Sequence, residues 1–252
     1  MKSMKVRLDR LVVNLGLAQS RQRARAMIMA GKVLVNNLPV TKPGLTFADD
    51  AAIRLKAGDI PYVSRGGLKL EKALHEYNMN VKGMTCMDVG ASTGGFTDCL
   101  LKHGAKCVYA VDVGYGQLAW QLRRDKRVAV IERTNIRYMP AESVPVPIDL
   151  ITVDVSFISL KIVIPAVRQF MQADTRIIAL IKPQFEAGRK KVGKGGVVRD
   201  PALHTAVIDE LTDCFQKHHL KCQTVLPSPI QGPKGNKEFL ILMYPVNCTT
   251  IL

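Results

Sequence analysis

The sequence predicts a parallel, doubly wound α/β sheet preceded by a small basic unit, and three observations carry that reading. Five apolar runs, "TCMDVG", "KCVYAVDVG", "VAVIE", "IDLITVDVS" and "TRIIALIKP", each end in polar residues or glycine. The stretches between them are long enough for crossover helices, the alternation expected of βαβ units rather than of a meander. Ahead of them the character of the chain differs: Met1 to Lys32 holds eight basic residues (Lys2, Lys5, Arg7, Arg10, Arg21, Arg23, Arg25 and Lys32) against one acid, Asp9. The expected division is residues 1–60 and residues 61–252.

Within the first part, Leu8, Leu11, Val12 and Leu15 recur at helical spacing and stop at Gly16, a residue suited to a left-handed cap. Ser20 can N-cap a second helix whose apolar face is Ala24, Met27 and Ile28 and which ends at Gly31. Arg7, Arg10, Arg21 and Arg25 then face away from the shared core. "KVLVNNLPVTKPG" and "AAIRLKAGD" read as short strands joined by Asn, Pro and Gly turns, and "AGDIPYVSRGG" as the linker and entry to the second part. There, Asp88, Asp112, Asp154 and Lys182 fall at the carboxyl ends of predicted strands, where open α/β sheets bind ligands. "CQTVLPSPI" and "KEFLILMYPV" are close enough to pair as a closing hairpin.

Composition narrows the function classes. With 252 residues, 47% of them hydrophobic, the chain can bury one good core and a small second domain, which excludes a disordered protein. A net charge of +15 points to a polyanionic partner, because clustered Lys and Arg gain free energy by releasing counterions from nucleic acid. The six cysteines have no metal-ligand spacing, so no metal is expected. "MKSMKVRLDR" lacks the apolar stretch of a signal peptide, and no run approaches the roughly 18 apolar residues of a membrane span. The expectation is a reduced, cytoplasmic protein with no membrane role.

The stretch "MDVGASTGGFTD" admits three chemistries. A dinucleotide fingerprint needs glycine at its second position so that the backbone can approach a pyrophosphate, and Ser92 stands there. A nucleophile elbow, Gly90-x-Ser92-x-Gly94, finds Asp154 and then His204, His218 or His219 in the right chain order. Against it, the elbow lies on the first strand of its domain, with no earlier strand to supply an oxyanion loop, and His204 reads as a packing or surface residue. The third chemistry, S-adenosylmethionine, accounts for every polar strand end. Asp88 and the turn (Gly90, Ala91, Ser92, Gly94, Gly95, Phe96 and Thr97) would hold the methionine portion, Asp112 the ribose, and Asn135 would lie near the adenine.

Two resemblances follow. "RLDRLVVNLGLAQSRQRARAMIMAGKVLVNN" resembles an S4 RNA-binding domain of the α-L type, over about residues 5–58. "SRGGLKLEKAL", "DVGASTGGFTD", "AVDVGYGQL", "TVDVSFISL", "LIKPQFEAGR", "GGVVRD" and "SPIQGPKGNKEFL", in that order, resemble the TlyA group of bacterial RNA methyltransferases, in which an S4 domain precedes a catalytic domain similar to FtsJ. The resemblance implies a Rossmann-like class I methyltransferase sheet, S-adenosylmethionine as cofactor, and ribose 2′-O-methylation of cytidine in ribosomal RNA or ribosomal subunits, 23S before 16S. It places a Lys, Asp, Lys, Glu catalytic set at Lys69, Asp154, Lys182 and Glu238. Family members also carry the name haemolysin, for which the sequence offers no membrane-active segment.

The set suits methyl transfer to a hydroxyl that is a weak acid and a poor nucleophile. Lys182 is the candidate contact to the 2′-oxygen, either as proton acceptor or as a cation stabilising the developing alkoxide. Asp154 and Glu238 would position it, with Asp154 also facing the sulfonium, and Lys69 would hold the nucleotide or act as a like charge. "EAGRKKVGKGGVV" sets Arg189, Lys190, Lys191 and Lys194 among glycines, a basic loop suited to RNA phosphates. With Arg65 and the basic residues Arg7, Arg10, Arg21, Arg23, Arg25 and Lys32, these form the expected RNA-binding set. Aromatic residues near strand ends are few (Phe96, Tyr115, Phe157 and Phe185), with Phe96 and Phe157 read equally well as packing. The rival reading is a non-catalytic RNA-binding or ribosome-assembly protein that keeps the fold.

Overall fold

The structure, a computed structural model, describes residues 5–55, 60–188, 191–193 and 195–246. It divides into two compact units, Met1–Pro61 and Tyr62–Leu252.

In the first unit, β1 (Lys5–Arg7), α1 (Leu8–Asn14), α2 (Arg21–Met29), β2 (Val33–Val35), β3 (Leu38–Pro39), β4 (Thr46–Ala48) and β5 (Ile53–Leu55) follow in order. β1 pairs with β4, and β2 lies between β3 and β5, all antiparallel. The side-chain oxygen of Ser20 accepts the Arg23 N–H and so starts α2, as its position in the sequence predicts. Leu8, Val12, Ala24, Met27, Ile28, Val33 and Val35 make one core. Leu15 departs from expectation: it sits at the C-cap of α1 and is 49% exposed, so the apolar stripe ends at Val12.

The larger departure is Asp9. Read from sequence as one opposing charge in a basic stretch, it is fully buried, and it accepts hydrogen bonds from Arg7 (3.0 and 3.1 Å) and from Arg21 (3.0 Å). Arg7 and Arg21 are therefore half engaged inward rather than wholly turned to solvent. Hydrogen bonding from Arg7 is the main cause that lowers the Asp9 carboxyl to about 2; burial opposes it, and Arg21 adds to it. Because the folded pKa is depressed, this contribution to stability is complete above the ordinary carboxylate value of 3.8 and is lost as pH falls towards 2. Asp9→Asn should destabilise the unit by about 1.5–3 kcal/mol at neutral pH, as for hydrogen bonds to a charged group. Amide exchange of residues 5–55 in the full chain would accelerate, while exchange in the second unit would stay unchanged.

The second unit is built on α3 (Gly66–Glu76), β6 (Thr85–Val89), α4 (Gly95–Lys102), β7 (Cys107–Val111), α5 (Trp120–Arg123), β8 (Val128–Ile131), β9 (Ile148–Val153), α6 (Leu160–Val167), β10 (Met171–Ile181), α7 (Pro183–Glu186), α8 (Pro201–Lys217), β11 (Leu220–Cys222), β12 (Leu226–Pro227) and β13 (Phe239–Pro245). Their sheet runs β11-β13-β10-β9-β6-β7-β8, with β12 also on β13. The five strands predicted from apolar runs are mutually parallel, and β13 enters antiparallel between β10 and β11. The predicted closing hairpin is present as β12 against β13.

Chain order reverses beside β6, with β7 and β8 on one side and β9 and β10 on the other. Such a switch point leaves a crevice at the carboxyl ends of β6 and β9, because the loops leaving the two strands run to opposite sides. Met87, Ile151, Ile177 and Ile241 from the sheet pack with Val163 and Phe215 from α6 and α8 to close the core beneath it.

Candidate active site

At the carboxyl end of β6 the chain turns through Gly90 (φ +86°), Ser92 (φ +49°) and Gly94 (φ +94°) into α4. Glycine is required at position 90 because a Cβ there would lie 2.5 Å from the Asp154 carbonyl oxygen. The turn thus presses against the exit of β9, which brings Asp154 to it. At position 95 a Cβ would meet Ser64 Oγ at 2.3 Å and the Gly67 nitrogen at 3.0 Å, so glycine lets α4 approach the entry of α3, the helix that carries Lys69.

These approaches form a cleft of about 590 Å³, within the range of small-ligand sites. All four residues of the expected catalytic set line it, together with Gly90, Ala91, Ser92, Gly95, Phe96 and Arg65. Lys182, at the end of β10, lies 2.5 Å from Asp154 Oδ1 and donates to Ser156 Oγ at 3.1 Å. Lys69 donates to Glu238 Oε2 at 2.5 Å, with both side chains buried. This pairing corrects the expectation that Asp154 and Glu238 both steady Lys182. Glu238, immediately before β13, serves Lys69 of α3, so each lysine has its own carboxylate. Among the described residues, Glu238 Oε1 and Gln184 Oε1 are buried without a hydrogen-bond partner, and Asp154 Oδ1 has the Lys182 ion pair alone.

Several expected cofactor contacts lie off the cleft lining. Asp88 is fully buried and accepts from the Thr97 and Thr152 hydroxyls at 2.7 and 3.0 Å, so it ties β6 to α4 and β9 instead of pointing at a ligand. Gly94 packs over Leu122 and Leu118, and Thr97 is consumed by Asp88. Asp112 accepts the N–H groups of Ser92 (2.8 Å) and Gly114 (2.7 Å) and so fastens the glycine turn to the end of β7. Asn135 caps the short turn Ile136–Tyr138 by accepting the Arg137 N–H.

Burial raises the Asp88 carboxyl to about 6; its two threonine hydroxyls oppose the shift and the Asp154 charge adds to it. The folded protein therefore binds more protons than the unfolded chain between about pH 4 and 6, and Asp88 makes stability fall as pH rises through that window. Asp88→Asn keeps the shape and can satisfy both hydroxyls. It should flatten this part of the pH–stability curve and raise stability at pH 7 by an amount on the order of 3 kcal/mol, measured against the parent by urea unfolding at pH 4 and pH 7.

The elbow reading does not survive the geometry. Ser92 Oγ donates to Gln117 Oε1 at 3.3 Å, while His204 is buried, with Nε2 3.1 Å from the Val198 carbonyl oxygen and its ring against Phe239. Of the basic set, Arg10, Arg25, Arg65 and Lys191 are exposed, and Arg23 and Lys32 are half-buried; Arg189, Lys190 and Lys194 lie outside the described residues. Phe157 is 90% exposed, which removes it from the packing residues, whereas Phe96 is buried.

Residues that sequence reasoning missed include Ser156, Gln184 and Asn236, all on the cleft lining. Asn236 accepts the Val198 N–H and donates to the Gly196 carbonyl, so it anchors the end of the glycine-rich loop beside Glu238. The spacing of two between Asp154 and Ser156, on a chain leaving a strand, is a signal that could have found the serine.

The FtsJ-like methyltransferase family matches residues 62–244, and the S4 domain family matches residues 6–60. The protein YqxC of Bacillus subtilis is 49% identical over 97% of this chain and 87% of its own. The 16S/23S rRNA (cytidine-2′-O)-methyltransferase TlyA of Mycobacterium tuberculosis is 44% identical over 94% of this chain and 89% of its own. A solved structure from Streptococcus thermophilus, described as a hemolysin, superposes with a TM-score of 0.76 at 42% identity, covering 98% of this chain and 90% of that one. Among the described residues no helix is long and apolar enough to cross a membrane. With its strand order, its glycine turn and its two lysine–carboxylate pairs, the chain belongs to the FtsJ-like methyltransferases, in the TlyA group that carries an S4 domain.

Proposed function

We propose that this protein transfers a methyl group from S-adenosylmethionine to the ribose 2′-oxygen of a cytidine in ribosomal RNA, with the first unit as its RNA-docking module. The observation that carries the reading is the seating of Lys182 with Asp154, and of Lys69 with Glu238, on the wall of one cleft beside the glycine turn. The cleft suits the cofactor on two counts. Its inner wall is backbone at Gly90 and Gly95, and the Asp154 carboxylate on its lining supplies a negative charge beside which a cationic ligand can sit.

When bound, S-adenosylmethionine supplies an electrophilic methyl on a sulfonium. Gly90, Ala91, Ser92, Gly95, Phe96 and Asp154 hold it in this reading. Asp112 retains lone pairs beyond those used by Ser92 and Gly114, and these are available to ribose hydroxyls. The other task of the chain is to orient the acceptor oxygen and favour loss of its proton. Lys182 does this as the ammonium steadied by Asp154 and Ser156, stabilising the developing alkoxide as the hydroxyl proton passes to solvent, while Lys69, fixed by Glu238, holds the nucleotide.

The test is transfer of tritiated methyl to 16S and 23S rRNA, free and in subunits, with products mapped by primer extension sensitive to ribose methylation. The expected product is a cytidine methylated at its 2′-oxygen, with the large-subunit RNA the better substrate. A protein that binds cofactor and RNA yet methylates neither would be a non-catalytic RNA-binding protein instead.

A further inference from the structure

We infer that Ser156 is a positioning residue for methyl transfer, holding the Lys182 ammonium in the orientation in which its remaining donor faces the acceptor hydroxyl. The inference rests on the reading of Lys182 given above. An ammonium on a four-carbon stem carries three equivalent donors and is stiffened only by its neighbours. The Asp154 contact draws the charge to within 2.5 Å of Oδ1, but one contact on a four-carbon stem leaves the side-chain torsions free to swing the ammonium about that oxygen. The Ser156 oxygen, 3.1 Å from Nζ, supplies the missing direction. With one N–H on Ser156 and the carboxylate on a second side, the third is left to the cleft, which both residues line.

Ser156 can do this because its own segment is tied down. The stretch from Asp154 to Leu160 is further joined to the Lys182–Glu186 turn through Glu186, which accepts from Ser159 Oγ at 2.5 Å and from the Leu160 N–H at 2.9 Å. Serine and lysine therefore ride on one clamped pair of loops, which is the support a first-contact residue needs to keep its geometry.

The test compares Ser156→Ala and Ser156→Thr with the parent and with Lys182→Ala, in the full-length protein. Because Ser156 is exposed, both variants should keep the parental unfolding temperature. Ser156→Ala should lower kcat about 10- to 100-fold, the scale of a small misplacement of a reacting group, with the Kd for S-adenosylmethionine and the KM for RNA unchanged. Ser156→Thr, which restores the hydroxyl, should return kcat to within about threefold of the parent. Parental kcat in Ser156→Ala would overturn the inference, as would a folded Ser156→Thr no better than the alanine variant. Parental kcat in Lys182→Ala is a separate failure, of the methyl-transfer reading itself.

Discussion

Lys182→Ala should lower methyl transfer by about 10²- to 10⁴-fold, the scale of a lost general acid–base or charge-stabilising group, with cofactor and RNA binding largely kept. The side chain is about 10% exposed and lines the cleft, so its removal leaves room for water beside Asp154. Lys182→Arg adds a second reading. Arginine keeps the charge opposite Asp154 and cannot accept a proton in this pH range. Partial activity in that variant identifies a holding cation, whereas a loss as deep as in the alanine variant identifies a base. Single-turnover kinetics and equilibrium binding separate the chemical step from affinity.

Lys69→Ala should destabilise the second unit by about 3–5 kcal/mol, because it leaves the carboxylate of Glu238 buried and unpaired. The Glu238 side chain is 0% exposed, so solvent does not readily take over from the lysine. Replacing both partners, with Lys69→Met and Glu238→Leu together, should restore most of that stability and still give no methyl transfer. Urea unfolding of the single and double variants, set beside the methylation assay, checks both halves. A double variant as unstable as Lys69→Ala would mean that the pair supports the fold through its polar groups and not only through compensated charge.

The sheet was legible because its parallel strands are buried on both faces and read as unbroken apolar runs, whose polar ends mark the ligand side. The four cleft residues were legible through motif resemblance, since nothing in the spacing of Lys69 and Glu238 indicates that they meet. Their pairing was misassigned for the same reason: β13 enters between β10 and β11, and only the three-dimensional order of strands brings the residue before it, Glu238, to Lys69 on α3. Asp88 shows the opposite difficulty. An acid at a strand end beside a glycine turn looks like a ligand contact, but whether it points outward or inward depends on Thr97 and Thr152. Thr152 lies 64 residues away in the chain. Asp9 was hidden in the same way, because a net charge counts an ion pair and two free ions alike.

The Lys69–Glu238 contact spans 169 positions, nearly the whole length of the second unit. During vectorial synthesis the first unit and Lys69 leave the ribosome long before the carboxylate that completes the pair. The growing chain can thus complete its S4 unit while its cleft still lacks one wall.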